Sequence, residues 1–476
     1  MPYGLKDIEL QKLCKVFESN ERIERVVLYG SRAKGNYKPF SDVDITLIGE
    51  ELTHTDLNHL SLVIDDLLLP YQFDISIFHT LKNEALIDHI HRVGITIYER
   101  ESEWKEYKFS DFVDINPSVK IPKGIPIPFV EMKDLDNSIR YCESSQEKEL
   151  SGGSRFINGD TLFARITPCL ENGKICQVRN LKKGLGFGST EFHVFRGKEG
   201  ISDTDFVYYL SRWDEVRDFA EHNLEGSSGR QRVSKEAFDN LYLTLPPLDT
   251  QCCIASILTS LDDKIDLLRR ENATLEAMAE TLFRQWFVVE AKEEWEEIGF
   301  GEAIDVYDSR RKPLSKMERD KMKNGNTLYP YYGAAEIMDY VDSYLFDGEY
   351  ILMGEDGTVK TDDGYPILQY ATGKFWPNNH AHVLQAKPPY NNCFVWNYLR
   401  TTNIESIVTG AVQPKINQAN LLSLPFYKYP IELVSKYIMI TRDWWTKKLN
   451  NNKQIQILIQ TRDGLLPRLM GGEIKI

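Results

Sequence analysis

LDDKIDLLRRENATLEAMAETLFRQWFV, residues 261–288, contains the pattern that decides the fold. With the residues just before it, this stretch places apolar side chains at alternating intervals of four and three, which is the seam of a coiled coil. The seam residues are Ile254, Leu258, Leu261, Ile265, Leu268, Asn272, Leu275, Ala279, Leu282 and Trp286. Asn272 is the polar member, and a buried polar residue of this kind can fix the register of paired helices. An ordinary amphipathic core helix is the alternative, but the length and regularity of the pattern favour a paired helix.

A second segment, from Ile431 to about Gly471, keeps the same rhythm less regularly. Its seam residues are Val434, Ile438, Trp445, Ile455, Ile459, Leu466 and Leu469. A helix of about 40 residues would extend roughly 60 Å. Because the two segments lie far apart in the sequence but follow equivalent positions of a repeat, we expect them to pair in antiparallel orientation.

The repeat has an offset of 183 to 191 residues. Residues 109–115 match residues 300–306 at the start of each half, and each half closes with a small-residue turn, a basic residue, an apolar ladder and a proline. With an offset of 183, Arg232 aligns with Lys415, Val233 with Ile416, Phe238 with Leu421 and Pro247 with Pro430. Both halves are rich in strands and loops, and the sequence reveals no nucleophile–base–acid set or metal-ligand cluster in either. We interpret them as two recognition heads on one stalk.

The first hundred residues contain a different motif. The run Val26–Tyr29 ends in Gly30 and Ser31, and after ten intervening residues comes Asp42-Val43-Asp44. Residues i and i+2 of a strand point to one side, so Asp42 and Asp44 would present two carboxylates together, and Asp74 opens another strand-like run. Carboxylate oxygens suit a divalent cation for phosphoryl transfer, and the Gly30-Ser31 turn would let donors approach a triphosphate. Acidic pairs in surface turns offer a simpler explanation of the spacing.

This pattern resembles the polymerase-beta-like nucleotidyltransferase superfamily, particularly its minimal forms in antitoxins, over about residues 5–100. The resemblance implies that Asp42, Asp44 and Asp74 bind Mg²⁺, with Asp74 as the third ligand or as the base. It also implies that a nucleoside triphosphate, ATP in particular, contacts Gly30, Ser31, Arg32 and Ser41. The same residues fit a domain that binds a nucleotide without transferring it.

The composition bounds the setting of the protein. The chain has 476 residues, a net charge of −14 and seven cysteines without a C-x-x-C pair, which argues against a disulfide framework or structural zinc. Lacking a run of about 20 apolar residues, the sequence predicts a cytoplasmic protein without a membrane partner. The acidic total disfavours simple electrostatic binding to DNA, but residues 431–476 carry a net charge of +4.

Over residues 105–476, the two heads and two helices resemble the specificity subunit of type I restriction-modification systems. The residues that carry the resemblance are Leu261–Ile265, Glu271-Asn272, Leu275–Ala279, Leu282–Val288, Pro330–Ala334 and Arg462–Ile474. It implies a defence protein whose heads each read one half of a split site in double-stranded DNA. It also implies partners on the helices: methyltransferase subunits, two of them, and a motor-nuclease subunit. No cofactor is implied for this part.

Basic residues in the loops of the heads are the candidate DNA contacts, although any of them could equally be a solvated surface group. In the first head these are Arg155, Arg165, Lys174, Arg179, Lys182, Lys183, Arg230 and Arg232. In the second they are Arg310, Arg311, Lys312, Lys360 and Lys415. Arg232 and Lys415 are singled out because the repeat pairs them.

The predicted fold class is α+β, with several domains. A small mixed α/β nucleotidyltransferase domain (1–100) precedes two α/β target-recognition domains (105–248 and 291–430), which are separated by two long antiparallel coiled-coil helices (249–290 and 431–476). The alternative function is a nucleotidyltransferase as the main activity, which modifies a partner's hydroxyl, such as a tyrosine, and is targeted by the C-terminal scaffold. A third hypothesis is a coiled-coil protein that only oligomerises.

Overall fold

A computed structural model describes residues 2–20, 22–38, 40–49, 51–100, 104–122, 124–227, 229–325, 327–410, 413–474 and 476. Two compact units divide the chain. One comprises residues 1–111 with 242–251, and the other comprises residues 112–241 with 252–476.

The first unit contains a four-stranded sheet of order β3-β2-β1-β4. Its strands are β1 (Arg25–Tyr29), β2 (Val43–Ile48), β3 (Phe73–Ile77) and β4 (Ile95–Glu99). Its helices are α1 (Asp7–Glu18), α2 (Gly30–Ala33), α3 (His54–Asp65) and α4 (Glu84–Val93). β1 runs antiparallel to β2 and β4, whereas β2 and β3 are parallel, so the ends of β1, β2 and β3 that carry the predicted motif lie side by side.

A short connection links this sheet to the first head. It consists of β5 (Lys105–Lys108) and α5 (Phe109–Phe112). β5 pairs with β17 (Tyr242–Leu245), which follows the first head in the chain, and this ribbon belongs to the first unit. The sequence predicts a first head over residues 105–248, which would include this ribbon. This domain boundary stays a proposal.

In its described residues, the first head contains two larger sheets, one two-stranded sheet and two α-helices. Its strands are β6 (Val113–Ile115), β7 (Ile127–Val130), β8 (Tyr141–Cys142), β9 (Gln146–Lys148), β10 (Ser154–Ile157), β11 (Thr161–Ala164), β12 (Ile175–Val178), β13 (Leu185–Gly188), β14 (Phe192–Gly197), β15 (Leu224–Glu225) and β16 (Arg232–Val233). Its helices are α6 (Thr204–Arg212) and α7 (Asp214–His222). The sheets have the orders β10-β13-β7-β9 and β6-β14-β11-β12-β8, and β15 pairs with β16.

The second head follows the long helix α8 (Leu248–Phe283), which continues as a π-helical segment over Arg284–Val289. Its strands are β18 (Glu297–Gly299), β19 (Ile304–Val306), β20 (Tyr329–Tyr332), β21 (Ile337–Val341), β22 (Phe346–Gly354), β23 (Leu368–Pro377), β24 (Ala381–Ala386) and β25 (Pro425–Tyr427). Its helices are α9 (Lys316–Lys321), α10 (Asn392–Thr401) and α11 (Gln418–Leu422). Six strands form one sheet of order β19-β24-β22-β23-β20-β21, and the chain ends with α12 (Ile431–Met470).

Strand register demonstrates that the two heads share one plan. β14 pairs with β6 and β11 in the first head as β24 pairs with β19 and β22 in the second. The pair β10 and β11 corresponds to the single long strand β22, and β12 and β13 correspond to β23. Because β22 and β23 are unbroken, the second head has one continuous sheet where the first has two.

The two long helices pair in antiparallel orientation, as the sequence predicts. Asp262 contacts Arg462 at 2.7 Å, Asn272 contacts Asn452 at 2.8 Å, and Glu276 contacts Lys448 at 2.5 Å, so the partner number falls as the first number rises. Asn272 also accepts from Asn451 Nδ2 at 2.9 Å, which places the predicted polar residue in the interface. None of the helices in the described ranges is long and apolar enough to span a membrane.

The buried seam departs from the predicted one at several positions. Asp262, Phe283 and Phe287 are buried, whereas the predicted Leu261, Leu282 and Trp286 are only partly buried. On α12 the seam includes the polar residues Thr441, Lys448, Asn451 and Arg462, all buried. Hydrophobic spacing alone was therefore a weak guide to α12, because much of its inward face is polar.

Candidate functional sites

Strand pairing brings the predicted acidic residues of the first domain together. Asp44 lies on β2 between Tyr29 on β1 and Asp74 on β3, and Asp42 immediately precedes β2. Burial raises the pKa of Asp44, and the negative charges of Asp74 and Asp42 raise it further. A divalent cation would relieve this mutual repulsion, so the carboxylates present fit a metal ion held by hard oxygen ligands.

The turn after β1 requires a glycine. Gly30 has φ +73°, and a Cβ at this position would come within 2.0 Å of Oδ2 of Asp44. The Asp44 carboxylate therefore packs directly on the Gly30 backbone, beside Ser31 in the first turn of α2. The sequence predicts that this turn lies beside a triphosphate, and that expectation stays a prediction.

Arg32 is placed differently from the sequence-based expectation of a nucleotide contact. Its side chain is 1% exposed, its Nε donates to the carbonyls of Ser41 and Asp42 at 3.1 and 3.0 Å, and Nη1 donates to Tyr3 at 3.1 Å. Arg32 thus holds the backbone that leads into Asp42, because its guanidinium is occupied by main-chain acceptors. Ser41 Oγ accepts from the Lys38 amide at 2.9 Å.

A tighter ligand group occurs in the second head, which the sequence analysis described as free of one. Among the described residues, Asp308, Glu355 and His382 form the group of three whose ligand atoms lie within 4.8 Å of one another. The carboxylates of Asp42, Asp44 and Asp74 do not meet this distance. Arg311 contacts Glu355 at 2.6 Å and Asp308 at 3.4 Å, and Lys415 contacts Glu355 at 3.4 Å. Arg311 and Lys415 neutralise the charges of Asp308 and Glu355, so these residues and His382 form one ion network.

The histidines of the two heads occupy one register position. His193 stands opposite Phe163 on β11, and His382 stands opposite Met353 on β22. Nε2 of His193 donates to the Val233 carbonyl at 3.0 Å and Nε2 of His382 donates to that of Ile416 at 2.8 Å, which supports the alignment of residue 233 with residue 416. The Nδ1 partners differ. They are the Asn116 amide at 3.3 Å in the first head and the Asp308 carboxylate at 2.5 Å in the second.

The surroundings of the two histidines differ accordingly. Burial lowers the pKa of His193 to about 4, so its ring is neutral and Nδ1 accepts from the Asn116 amide. His382 instead places Nδ1 2.5 Å from the Asp308 carboxylate, inside the ion network that contains Arg311 and Glu355.

Several of the predicted DNA contacts in the first head are held by other groups. Arg179 contacts Asp266 of α8 at 3.0 and 3.1 Å, and Arg232 forms a forked pair with Glu191. Lys174 donates to the Met132 carbonyl at 2.9 Å and Lys182 contacts Glu147 at 3.1 Å. Arg155, Lys183 and Arg230 are exposed.

One cluster forms among these residues. Ile166, next to Arg165, bridges to Arg232, and the Val233 amide donates to the Arg165 carbonyl at 2.9 Å. Nε of Arg165 is buried without a hydrogen-bond partner among the described residues. Arg165, Arg230 and Arg232 therefore share one edge of the head.

The predicted contacts of the second head fall into two places. Arg310 stacks 4.5 Å above the Phe346 ring and precedes exposed Lys312, whereas Arg311 is nearly buried in the ion network. Lys360 contacts Glu405 at 3.0 Å and Lys415 contacts Glu355. The repeat thus places Arg232 and Lys415 alike, and each is paired with a glutamate.

The first head is fixed to the stalk by a buried polar cluster. Arg140 contacts Asp205 at 2.6 Å and donates to Tyr209 at 3.2 Å, and the Tyr209 hydroxyl donates to Asp262 of α8 at 2.7 Å. Arg462 of α12 donates to the other oxygen of Asp262 at 2.7 Å. Tyr141 adds a bond to Asp263 at 3.0 Å. The acidic residues of the Asp262-Asp263 motif thus connect the head and both helices.

The second head is fixed by aromatic packing around one buried cation. Lys448 of α12 is 5% exposed, lies 4.2 Å from the Trp445 ring and 4.8 Å from the Trp396 ring, and contacts Glu276 of α8. Phe283 and Phe287 pack edge-on against Phe394 at 5.1 and 5.0 Å. Burial lowers the pKa of Lys448. Sequence reasoning missed both junctions, since their members come from distant segments.

Comparison with known proteins fits this arrangement. The family model for the type I restriction modification DNA specificity domain matches residues 101–277 and 292–436, and that for polymerase beta nucleotidyltransferases matches residues 11–103. The chain belongs to the type I restriction modification DNA specificity domain family. Its first domain is a nucleotidyltransferase-like domain.

Individual relatives cover different parts of the chain. A putative type I restriction enzyme specificity subunit of Haemophilus influenzae is 35% identical over 147 residues, 31% of this chain and 36% of that protein. The MjaIX specificity subunit of Methanocaldococcus jannaschii is 22% identical over 408 residues, 79% of this chain and 94% of that protein. In four such relatives, including the first of these two, the aligned part spans only 31 to 41% of the relative's own length.

Solved structures give weaker matches. The S subunit of a type I restriction-modification system from M. genitalium covers 78% of this chain and 97% of its own, with 17% identity and a TM-score of 0.43. The MntA-HepT toxin-antitoxin structure covers 20% of this chain and 74% of its own, with 15% identity and a TM-score of 0.17.

Proposed function

We propose that this chain is the DNA specificity subunit of a type I restriction-modification complex. In this proposal each head reads one half of a bipartite site in double-stranded DNA, and the antiparallel helices set the distance between the half-sites. The observation that supports this proposal is that two related heads are attached at separate places on one helix pair. A scaffold that fixes two readers also fixes the separation of the sequences they read.

The positions of the junctions support this geometry. The first head attaches around Asp262 and the second around Phe283 of α8. The rise of an α-helix places these residues roughly 32 Å apart. One turn of duplex DNA is about 34 Å, so the heads would face the same side of the duplex about one turn apart.

Contacts to DNA would come from the basic residues that the structure leaves accessible. In the first head these are Arg155, Lys183 and Arg230, with Arg165 and Arg232 beside them. In the second head they are Arg310 and Lys312, with Lys360 and Lys415 at a separate place. Lys174, Arg179 and Arg311 would serve mainly the fold, because carbonyl or carboxylate groups hold their partly buried side chains, whereas Lys182 pairs with Glu147 but stays exposed.

The helices would dock the other subunits, two methyltransferase subunits and a motor-nuclease subunit. A groove of about 800 Å³ runs along α8 and is lined largely by small and apolar side chains that include Ala273, Ala277, Met278 and Leu282, with Trp444 of α12. Met278 is 43% exposed and Met439 on α12 is 64% exposed. Apolar surface of this kind favours burial against a partner protein.

Sequencing of methylated bases in the host genome tests this function. With the partner subunits expressed, deletion of the gene should abolish methylation at one bipartite motif, and re-expression should restore it. Replacement of one head by that of a relative should change one half of the motif only. An unchanged pattern of methylation after deletion would refute the proposal.

We further propose that residues 1–100 form a Mg²⁺-dependent nucleotidyltransferase that uses ATP. Asp42, Asp44 and Asp74 would hold the ion, and Gly30, Ser31 and Ser41 would lie beside the triphosphate. The raised pKa of Asp44 and the contact between Asp44 and Gly30 support this assignment. The bound metal would neutralise phosphate charge, while Arg32 keeps the Asp42 segment in position.

A labelled-nucleotide assay tests this activity. The full chain with its partner subunits should transfer label from ATP, and Asp42→Asn with Asp44→Asn should reduce transfer to background. Asp7→Asn, which changes charge by the same sign on α1, is the control. Equal labelling by the wild type and the double variant would exclude catalysis by these residues. The alternative, in which transfer is the main activity, has less support because the specificity family covers more than half of the chain.

A further inference from the structure

The edge of the sheet differs between the two heads. β9 pairs with β7 in the first head as β21 pairs with β20 in the second, and both ribbons continue through a parallel pairing, β7 with β13 and β20 with β23. In this register Glu147 corresponds to Tyr340 and Lys148 to Val341. β9 and β21 are therefore the same edge strand in two heads.

The first head has a charged edge and the second has an apolar one. β9 consists of Gln146, Glu147 and Lys148, whose charges are paired with Lys182 and Glu131. β21 exposes Ile337 at 40%, Met338 at 52% and Tyr340 at 45%. An edge strand with accessible apolar side chains is unfavourable in water unless another molecule covers it.

In the second head, a basic segment lies beside this edge. Eleven residues connect β6 to β7, but twenty-two connect β19 to β20. Residues 310–323 contain seven Lys and Arg against two Asp and Glu, a net charge of +5 in a chain of −14. We call residues 310–323 the basic insert.

The basic insert is folded onto the edge strand. Arg319 and Lys323 both contact Asp339 of β21 at 3.0 Å, and the Asp342 amide donates to the Met322 carbonyl at 2.7 Å. Trp376 Nε1 donates to the Lys312 carbonyl at 2.7 Å. These contacts fix the backbone of the insert while Lys312, Lys316 and Lys321 remain exposed. Among the described residues none of these three lysines forms an ion pair.

Aromatic and cationic groups also lie at the start of the β20–β21 ribbon. Tyr329 and Tyr344 pack with their ring centroids 5.2 Å apart, and Lys374 lies 4.6 Å from the Tyr344 ring. Interleaved cations and exposed aromatic rings are the combination that binds nucleic acid. A two-stranded ribbon also has the width that the major groove of duplex DNA admits.

We propose that the basic insert and the β20–β21 edge form an additional DNA-binding surface of the second head, with the lysines on phosphates and the edge strand against the groove. This inference rests on the proposed DNA-reading function. In the described part of the first head, the corresponding edge strand has paired charges and its connection lacks the basic insert, so the two half-sites would be held unequally. The second half-site receives the larger electrostatic contribution.

The salt dependence of DNA affinity tests the proposal. The full chain assembled with its methyltransferase subunits would be titrated with duplex DNA between 50 and 200 mM KCl, on its own site and on an unrelated duplex. Changing Lys312, Lys316 and Lys321 to Gln should flatten the slope of log affinity against log salt by about 0.9 per lost phosphate contact, about 2.7 in total. Binding to both duplexes should weaken alike, because phosphate contacts carry no sequence information.

Lys12, Lys15 and Lys82 changed to Gln provide the matched control, with the same charge change on the first domain. A triple variant of the insert whose slope equals that of this control would overturn the proposal, while DNA binding by the wild type would leave the proposed function intact. Absence of DNA binding by the wild type would instead refute the proposed function. If the insert variant loses a bound acidic protein with its DNA slope unchanged, the surface binds protein and the proposal is wrong.

Tyr340→Ser tests the edge strand separately. Methylated-base sequencing should reveal relaxed selection of bases in the second half-site and an unchanged first half-site. Tyr340→Phe, which keeps the ring, should retain the wild-type motif. Equal relaxation of both half-sites, or none, would remove the edge strand from the DNA surface.

Discussion

The two heads are attached to one helix pair by different chemistry. The first head is attached by a chain of polar contacts from Arg140 through Tyr209 and Asp262 to Arg462. At the second junction Lys448 lies beside the rings of Trp396 and Trp445. Phe394 of the second head packs there on Phe283 of α8. A polar cluster demands one geometry because each lone pair and proton needs its partner. An aromatic junction depends on buried volume. Related heads can therefore be held equally firmly by directional or by non-directional contacts.

The largest expected effect is the loss of a carboxylate from the first junction. Asp262→Asn removes the buried counter-charge of Arg462 and leaves the guanidinium paired with the exposed Asp463, and breaking a buried pair in this way costs about 3 to 5 kcal/mol. Hydrogen exchange of α6 and of the first half of α8 should report this loss, while α10 stays protected. Asp263→Asn, which removes an exposed partner of Tyr141, is the control and should cost below about 1 kcal/mol. Equal effects of the two variants would contradict the role of Asp262.

The second junction should fail through loss of volume. Trp445→Ala removes a ring that packs on Tyr370 and Lys448, and such a truncation costs about 3 kcal/mol. Exchange should rise in α10 and not in α6. Lys448→Met, which keeps the length and removes the charge, should cost much less because an apolar residue replaces a buried ion in an aromatic site. A larger loss from Lys448→Met than from Trp445→Ala would mean that both junctions are polar in character.

Acid should weaken the first head through His193. Its folded pKa of about 4 lies below the unfolded value of about 6.5, so the unfolded chain takes up the proton first. The stabilising contribution is complete above pH 6.5 and falls by about 1.4 kcal/mol per pH unit as the pH drops toward 4. The free energy of opening measured from pH 7 to 5 should decline by about 2 kcal/mol. His193→Gln should flatten that decline, and an unchanged slope would point to another titrating group.

The smallest effect should come from the exposed rim of the first junction. Arg179 is about one third accessible, so Arg179→Gln should cost at most about 1 kcal/mol. Because its guanidinium faces Asp266, the salt slope of DNA binding should not change. A slope flatter by about 0.9 would instead restore the DNA contact that the sequence predicts for Arg179.

Local patterns made part of the molecule predictable. Gly30, Asp42, Asp44 and Asp74 follow from strand alternation and one turn, so their neighbourhood could be inferred before the structure. Ile265 and Asn272 were identified in the seam because helix periodicity depends on a single segment.

Other features need contacts between distant segments. Asp262 looks like a surface residue until Arg462, two hundred positions away, pairs with it. Asp308, Glu355 and His382 come from three separate loops and strands, and nothing local links them. The family resemblance implies a nucleotide contact for Arg32, yet its environment of carbonyl oxygens is a tertiary property.

The unequal junctions also limit how new specificities could arise by exchange of heads. A first head moved to the second position would place Arg140 and Tyr209 against Trp445 and Phe283, and the bond from Tyr209 to Asp262 would be lost. A second head moved to the first position would set Trp396 against Asp262. When recombination replaces a head by another head at the same position, the junction surface of the head still meets the helix residues that fit it. When a head moves to the other position, the matching stretch of α8 and α12 would have to move with it. The helix pair therefore provides two different attachment surfaces, each of which fits its own head.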